Sequence, residues 1–491
     1  MTSSKSTKRA LITSALAILM CAAMLIGATF AWFTDTASTG VNKIVSGNLK
    51  VDIIGADSDS HIEKLNFTKA ATTDAEAGAE ILWEPGCRYL TEGFRIANKG
   101  NLALKWKAQV NTGTTAANEG NFDLLDVIDF YLVTKAADGT ETETALDEFT
   151  GNLKKTETSD VYYIKGVMQT TAGNDYQGLT LDGISITVVA TQDTVESDSF
   201  NNQYDKDAEY PILVTTGDEL QAIVSNATAP VNIVLTNSIT TNNFVIPEDK
   251  DVTLDLNGRT VTNAGSHTIL NKGHLTLTDS SADKSGQIIS LKGNTAALRN
   301  GDNAVCVVEG GTISRDGANG NTWHVVENFG KMTFNGGKVV LKNGNGFAIT
   351  NGWNYFDPGA STTHAVMEIN ALELDTDSSG IKNCRYGDLT VNDVTVTSTG
   401  YWALSNDYLG TAVINGGTLT SKSFKAVSNG AAMTVNGGTF DGTNGAFFVQ
   451  NYATSTVLNG GTFTNMNVDA LSGYVGTGHT AQQSGTSVII K

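Results

Sequence analysis

The chain has 491 residues, with 51 acidic against 32 basic side chains and a formal net charge of −19. This acidic balance argues against nucleic-acid binding and favours solubility outside the cell. The 4 cysteines are too sparse for the disulfide framework of a small secreted domain, so stability must come from packing and backbone hydrogen bonds.

The amino terminus has the plan of a secretory signal. Basic residues between Lys5 and Arg9 precede an uncharged apolar run from Ala10 to Ala28. Small residues near the end of the run suit cleavage after Ala31, and an uncleaved membrane anchor is the alternative. We therefore predict a signal peptide over residues 1–31, a secreted mature protein, and membrane contact only through the signal segment if it is uncleaved.

Residues 32–195 alternate between short β-type runs and turn-forming Gly, Asn and Asp. Examples of the runs are 49–53, 94–96, 103–106 and 184–189. This alternation is typical of an antiparallel β-sandwich. Residues 196–211 are polar with no core to bury, and we interpret them as a linker.

From residue 212 to residue 491 the chain is rich in Gly, Asn, Thr and Val, and two sequence ladders repeat along it. One ladder is a strand that ends in a Gly pair, as in Asn335-Gly336-Gly337 and Asn436-Gly437-Gly438. The other is a short strand that ends in Asn, at Asn271, Asn300, Asn328, Asn351, Asn383, Asn406, Asn429 and Asn451. A period of this kind predicts a solenoid in which each strand pairs in parallel with its copies in adjacent coils.

The ladder residues suit the corners of such a solenoid. Asn tolerates a left-handed backbone and its amide can bond to the amide of the next coil, whereas Gly pairs serve a corner where a Cβ would clash. We predict eight or nine coils, a rod on the order of 40 Å long at the spacing of paired strands. Residues 217–224 have apolar positions at helical spacing and predict a helix that caps the first coil. Cys306 and Cys384, about three coils apart, are predicted to be buried thiols.

Aromatic residues recur just after the Asn corners, and stacked corners would project them from one edge. Such rings suit stacking against sugars, with neighbouring carboxylates and amides available for hydroxyl groups. The alternative is that they pack over the insertion between Gly352 and His364. The predicted glycan-binding residues are Trp353, Tyr355, Asp357, Tyr386, Asp388, Asp407, Tyr408 and Tyr452, with Phe356 and Asn406 beside them.

Catalysis on polysaccharide would require paired carboxylates, or a carboxylate cluster that binds calcium beside an arginine base. The best acidic candidates are Asp375 and Asp377, followed by Asp388 and Asp393, with Arg385 nearby. Asp-rich turns are ordinary in solenoids, so we assign no catalytic residue, no metal site and no cofactor. A weakly bound calcium ion at these turns is the alternative.

The amino-terminal third resembles the TasA/camelysin family of Gram-positive biofilm-fibre proteins. The resemblance rests on the leader junction Gly27-Ala28-Thr29-Phe30-Ala31-Trp32-Phe33-Thr34-Asp35-Thr36, on Ser46-Gly47-Asn48-Leu49-Lys50-Val51, on Glu84-Pro85-Gly86, on the stretch 94–104 and on the closing strand 184–192. It implies a jelly-roll-like sandwich in a protein of a Gram-positive-type bacterium. It also implies polymerisation by donation of the segment Trp32–Val45 to the next subunit, unless that segment completes its own sheet.

The camelysin branch of that family carries a metallopeptidase label, which the histidines do not support. The six histidines are His61, His267, His274, His324, His364 and His479, and none forms the HExxH pair that places two zinc ligands on one helix face.

The carboxy-terminal part resembles pectate-lyase-like right-handed β-helices of surface proteins, through Val252-Thr253-Leu254-Asp255-Leu256-Asn257-Gly258 and the recurring NGGTF motif. This likeness implies the fold and leaves the chemistry open, because the same solenoid serves lyases, hydrolases and adhesins. The fold class we predict is all-β, a jelly-roll-like antiparallel sandwich followed by a right-handed parallel β-helix.

Together these observations favour a secreted surface or biofilm-matrix protein with a structural or adhesive role. The sandwich would serve self-association or envelope attachment, and the β-helix would display a face for an extracellular glycan or matrix component. The alternative is an extracellular polysaccharide lyase or glycoside hydrolase that acts through the β-helix.

Overall fold

The fold is seen in a computed structural model of the chain. The structure describes residues 49–62, 65–68, 83–111, 114–115, 122–146, 149–179, 181–182, 185–193, 209–316, 323–344, 346–353 and 363–491. The predicted signal peptide, the segment 32–45 and most of the predicted linker lie outside these residues.

Strands before residue 193 are antiparallel and form a half-barrel. They are β1 (Val51–Gly55), β2 (Phe67–Thr68), β3 (Arg88–Thr91), β4 (Phe94–Asn98), β5 (Leu104–Asn111), β6 (Thr114–Thr115), β7 (Ile128–Lys135), β8 (Glu141–Ala145), β9 (Phe149–Leu153), β10 (Tyr162–Met168), β11 (Leu181–Asp182) and β12 (Ser185–Gln192). Short 3-10 helices occupy Leu124–Asp126 and Asn174–Tyr176.

Seven of these strands form one sheet in the order β1-β4-β10-β3-β2, with β7 on β10 and β8 on β7. Strands β12, β5 and β9 form a three-stranded sheet, and β11 pairs with β6. Alternate residues of β4 and β5 point inward, so that Phe94, Ile96, Leu104 and Trp106 form a buried core. Gly151 makes room for this core, because a Cβ there would lie 2.7 Å from the Trp106 ring.

From residue 212 onward the chain forms a parallel β-solenoid of about 10 turns, slightly more than the predicted eight or nine. Its strands are β13 (Ile212–Val214), β14 (Val231–Leu235), β15 (Ile239–Thr241), β16 (Phe244–Ile246), β17 (Asp251–Asp255), β18 (Thr260–Asn263), β19 (Ile269–Asn271), β20 (His274–Thr278), β21 (Gln287–Ser290), β22 (Leu298–Asn300), β23 (Val305–Val308), β24 (Thr312–Asp316), β25 (Val326–Asn328), β26 (Lys331–Phe334), β27 (Lys338–Lys342), β28 (Phe347–Asn351), β29 (Ala365–Ile369), β30 (Glu373–Thr376), β31 (Ser379–Asn383), β32 (Gly387–Val391), β33 (Thr395–Ser398), β34 (Leu404–Asn406), β35 (Thr411–Ile414), β36 (Thr418–Ser421), β37 (Val427–Asn429), β38 (Ala432–Val435), β39 (Thr439–Gly442), β40 (Phe447–Val449), β41 (Ser455–Leu458) and β42 (Gly461–Phe463).

Each coil contributes one strand to each of three sheets. The first sheet runs β13-β14-β17-β20-β23-β26-β29-β32-β35-β38-β41 and the third runs β16-β19-β22-β25-β28-β31-β34-β37-β40. The second runs β15-β18-β21-β24-β27-β30-β33-β36-β39-β42 and ends in the antiparallel strands β44 (Ser487–Ile490) and β43 (Ala481–Ser484). The all-β class and the carboxy-terminal parallel solenoid predicted from the sequence are therefore confirmed.

The interior of the solenoid is a continuous apolar column. In the first sheet, for example, Leu275, Cys306, Met332 and Met367 occupy one register position in successive coils, and all are buried. Burial raises the pKa of the Cys306 thiol to about 12, and the same holds for Cys384. Both cysteines are free and buried, as predicted.

Both ends of the column are covered. At the amino end, helix α1 (Gly217–Asn226) begins at Thr216, whose hydroxyl oxygen accepts from the Glu219 N–H at 3.2 Å. Leu220 and Val224 of α1 are buried in the solenoid core, which agrees with the predicted cap. At the carboxy end, β43 and β44 cover the column with α2 (Val468–Leu471) and a 3-10 turn at Ser472–Tyr474.

The turn from the first sheet to the second carries a line of surface amides, which we call the surface ladder. Each Asn Nδ2 donates to the Asn Oδ1 of the preceding coil at 2.7–2.9 Å, and Asn335 donates to Glu309 at 2.8 Å. The members are Asn335, Asn370, Asn392, Asn415, Asn436 and Asn459.

Candidate functional site

The third sheet presents one line of side chains to the outside, which we call the outer row. Most of its strands have three residues, of which the first, an apolar residue, and the third, the corner residue, point inward. The middle residue therefore points outward. The strand register aligns these middle residues from coil to coil. The outer row consists of Val245, Leu270, Arg299, Glu327, Thr350, Lys382, Ser405, Ser428 and Phe448.

Directly beside the outer row, the corner asparagines form what we call the buried ladder. Each Nδ2 donates to the Oδ1 of the next Asn at 2.7–2.9 Å. Each also donates to a backbone carbonyl of the first sheet, as Asn406 does to Ala432 at 2.8 Å. The members are Asn271, Asn300, Asn328, Asn351, Asn383, Asn406 and Asn429, all essentially inaccessible to solvent.

The prediction that Asn451 continues this ladder was wrong. Val449 pairs with Asn429 and takes the corner position in the last coil, and Asn451 lies in the exposed turn that follows. Asn429 instead donates to the Ser455 carbonyl and to Thr456 Oγ1, both at 2.8 Å. Strand β40 is the last strand of the third sheet, so an amide at its corner would have no next Asn to bond to.

The turns that follow the corners hold the predicted aromatic residues, and the structure divides them into two groups. Trp353 and Tyr386 are half-buried: the Trp353 ring packs on Phe329 at 4.6 Å, and the Arg385 guanidinium lies over the Tyr386 ring at 4.7 Å. Tyr355, Phe356 and Asp357 lie outside the described residues.

Tyr408 and Tyr452, by contrast, are exposed, with 46% and 51% of their surface accessible. The Tyr452 ring lies over the preceding turn, since a Cβ on Gly430 would be 2.7 Å from it. Burial, followed by the nearby Asp407 carboxylate, raises the pKa of Tyr452. Asp407 itself pairs with Lys382 of the outer row at 3.2 Å.

A second set of aromatic residues flanks the outer row on its other side, in the turns that enter the third sheet. The Trp402 ring contacts the Phe424 ring at 4.7 Å and lies nearly parallel to Phe448, with the ring centroids 6.2 Å apart. Tyr401 contacts Phe424 at 5.3 Å and is 59% exposed. Phe447 is buried, but its neighbour Phe448 points outward from the row.

The sequence interpretation missed this second set. A run of apolar residues next to a strand does not reveal which of them points inward, so Trp402 and Phe448 give no separate signal in the sequence. The signal that could have found it is the aromatic residues just ahead of Ala403 and Ala426, two alanines that share one coil position.

In the amino-terminal half of the outer row, the two charged residues Arg299 and Glu327 form an ion pair. Glu327 is 3% exposed, and its carboxylate accepts from Arg299 at 2.9 Å and from the Trp323 indole at 3.1 Å. Burial lowers the pKa of His267 and of His324, although Glu327 opposes this shift. Glu327 is thus held in an ion pair beside two imidazoles that stay neutral at neutral pH.

The acidic residues considered for catalysis do not converge on one groove. Asp375 lies on the second sheet and pairs with Lys342 at 2.8 Å, and Asp377 accepts backbone N–H groups of Asn343 and Gly344. Asp388 lies on the first sheet, bonded to His364 at 2.9 Å, and Asp393 is in the turn between those two sheets. Within the described part of the chain, no group of three or more His, Cys, Asp or Glu side chains could hold a metal ion.

Comparisons with known proteins add little to this geometry. No protein-family model matches the chain, and no curated protein matches it. Among solved structures the chain is similar to the catalytic domain of a GH87 alpha-1,3-glucanase in complex with tetrasaccharides, at 10% identity over 83% of this chain and 99% of that one. The TM-score of 0.20 is too low to support an argument about function. Within the described ranges, no helix has the length and apolar character needed to cross a membrane.

Proposed function

We propose that the mature protein is a secreted surface or matrix protein with a structural or adhesive role, and that its solenoid binds polysaccharide along the carboxy-terminal half of the outer row. One observation carries this proposal. Among the described residues, all of the exposed aromatic side chains lie in the last coils, on or beside the third sheet. They are Tyr401, Tyr408, Phe448 and Tyr452.

Exposed rings grouped on one face of a solenoid are typical of an interaction surface, because aromatic area is otherwise removed from water. The rings flank a polar floor made of Ser405 and the Lys382–Asp407 pair. Sugars present an apolar ring face and a rim of hydroxyl groups, so stacked rings beside hydroxyl and charged groups suit both parts.

The same geometry favours binding over cleavage. Hydrolysis with two carboxylates requires both acids on opposite sides of one glycosidic bond. Glu327 is the acidic member of the outer row, and it is buried in its ion pair with Arg299. Asp375 and Asp388 lie on other sheets. Within the outer row, the hydrolase or lyase alternative therefore has one acid, Glu327, and no second acid to pair with it.

Binding can be tested by calorimetry with neutral and acidic oligosaccharides. Removal of two rings in the double variant Tyr408→Ala/Tyr452→Ala should weaken the Kd roughly thirtyfold, since a stacked ring contributes about 1 kcal/mol. The matched control is Val457→Ala, which removes an exposed apolar side chain of the first sheet in the same region. Equal affinities of the double variant and the control would contradict the proposed surface.

For the amino-terminal half-barrel we propose a role in self-association or envelope attachment, based on the resemblance to biofilm-fibre proteins. Strand β8, exposed at all five residues, lies at an edge of the seven-stranded sheet, where an added strand can pair. Deletion of residues 32–42 should convert concentration-dependent polymers into a monomer with an intact solenoid, as measured by sedimentation velocity and circular dichroism. A full-length protein that stays monomeric at high concentration would contradict assembly.

A further inference from the structure

A pocket of about 390 Å³ opens where the third sheet ends. Strand β40 forms one wall, and the carboxy-terminal cap, with α2 and the 3-10 turn, forms the other. The polar and aromatic residues that line it include Lys425, Asn444, Phe448, Asn465, Asn467 and Tyr474. The pocket therefore lies at the end of the outer row, and the Phe448 ring is part of its wall.

The cation in this pocket is Lys425. Its Nζ lies 4.5 Å from the centroid of the Phe448 ring, and within the described residues no carboxylate is in ion-pair contact with it. Three lysines of the preceding coils, by contrast, are in ion pairs. Lys338, Lys342 and Lys382 pair with Glu373, Asp375 and Asp407 at 2.5, 2.8 and 3.2 Å.

An unpaired ammonium group in a pocket matters in this chain because the protein carries a formal net charge of −19. Such a charge repels an anionic ligand from most of the surface, so an anionic sugar needs a local positive group. The ammonium group of Lys425 satisfies this need, and the amides of Asn444 and Asn465 can reach hydroxyl groups.

We propose that this pocket binds a terminal uronate residue of an acidic polysaccharide. The carboxylate pairs with Lys425 and the sugar ring stacks against Phe448. The cap closes the far side of the pocket, which restricts the site to a chain end, while the remaining sugars follow the outer row toward Tyr408 and Tyr452. This inference rests on the proposed glycan binding and specifies its ligand class.

The test compares a galacturonic acid tetramer with the same tetramer reduced at its carboxyl groups to a neutral sugar, by calorimetry on the full-length mature protein. Lys425→Gln should weaken binding of the acidic tetramer roughly tenfold, the equivalent of one lost charge-assisted hydrogen bond, and leave the neutral tetramer unchanged. Lys425→Arg should retain most of the affinity. The matched control Lys422→Gln makes the same change of charge outside the pocket lining and should bind like the wild type.

The outcomes separate this inference from the proposed function. If the wild type binds both tetramers equally and Lys425→Gln has no effect, the uronate site is overturned and glycan binding stands. A third ligand is the carboxyl-reduced tetramer with sulfate groups attached. If it binds as tightly as the uronate tetramer, the pocket is a general anion site and the uronate assignment is overturned. If the wild type binds none of them, glycan binding itself is overturned. An unchanged melting temperature of Lys425→Gln shows that any loss is local.

Discussion

The buried ladder and the surface ladder place the same type of side chain, asparagine, in two different environments. Their amide-to-amide distances are the same, 2.7–2.9 Å. The directions differ, because the buried amides donate toward the carboxy end of the solenoid and the surface amides donate toward the amino end. The main difference is water, which can replace the bonds of the surface ladder and cannot reach those of the buried one.

This difference shows that hydrogen-bond geometry alone does not determine stability. A surface amide that loses its partner finds water, whereas a buried amide or carbonyl that loses its partner is left unsatisfied. The buried ladder also joins two sheets, since each amide donates to a backbone carbonyl of the first sheet. We therefore expect the buried ladder to hold the coils together and the surface ladder to contribute little.

The largest expected effect is in the buried ladder. Asn406→Ala removes three hydrogen bonds at a corner closed to water, which are those from Asn383 Nδ2, to Asn429 Oδ1 and to the Ala432 carbonyl. We expect a loss of about 3 kcal/mol in the free energy of unfolding of the solenoid, measured by urea denaturation followed by circular dichroism. A loss under about 1 kcal/mol would mean that water reaches this corner after all.

The next effect concerns the backbone at the surface corner. In Gly437→Ala the new Cβ would lie 2.6 Å from the Asn415 carbonyl oxygen of the preceding coil. Because that neighbour is backbone, the coils must separate locally, and we expect a loss of about 2 kcal/mol in the same urea experiment. An unaffected variant would show that the coil spacing at this corner can relax, and that its glycines are not required by packing.

A smaller effect is expected for the amide at that corner. Asn415→Ala removes two surface hydrogen bonds, to Asn392 and from Asn436, that water can replace. The loss should be about 0.5 kcal/mol. Asn415 and Asn406 lie in the same coil, so the two variants form a matched pair, and equal losses would remove the distinction between the ladders.

The smallest effect tests the end of the buried ladder. Asn451 is exposed in the turn after β40, and Val449 occupies the corner position. Asn451→Ala should therefore change the melting temperature by no more than the error of differential scanning calorimetry, in line with ordinary surface substitutions. A clear destabilisation would indicate that Asn451 belongs to the buried ladder and that the strand register described for the last coil is wrong.

Much of the solenoid could be predicted from the sequence because its signals repeat. Corner Asn, Gly pairs and alternating apolar residues recur in most coils, so the neighbouring coils show where a coil with a weak signal begins and ends. The half-barrel has no repeat of this kind. Its strands were located, with runs at 94–96 and 184–189 matching β4 and β12, but their order in the sheets depends on pairings such as β10 with β7 that no local pattern encodes.

The sequence by itself determined the parallel solenoid, its capping helix, the buried cysteines and the first seven members of the buried ladder, because each depends on local spacing and on the period of the coil. The tertiary structure alone decided which aromatic residues are exposed. Trp353 and Tyr386 follow the same corner as Tyr408 and Tyr452, yet Phe329 packs on Trp353 and His364 packs on Tyr386, and the second pair stays accessible. The exposure of each ring depends on which side chain the adjacent coil places against it. That side chain lies more than twenty residues away in the chain.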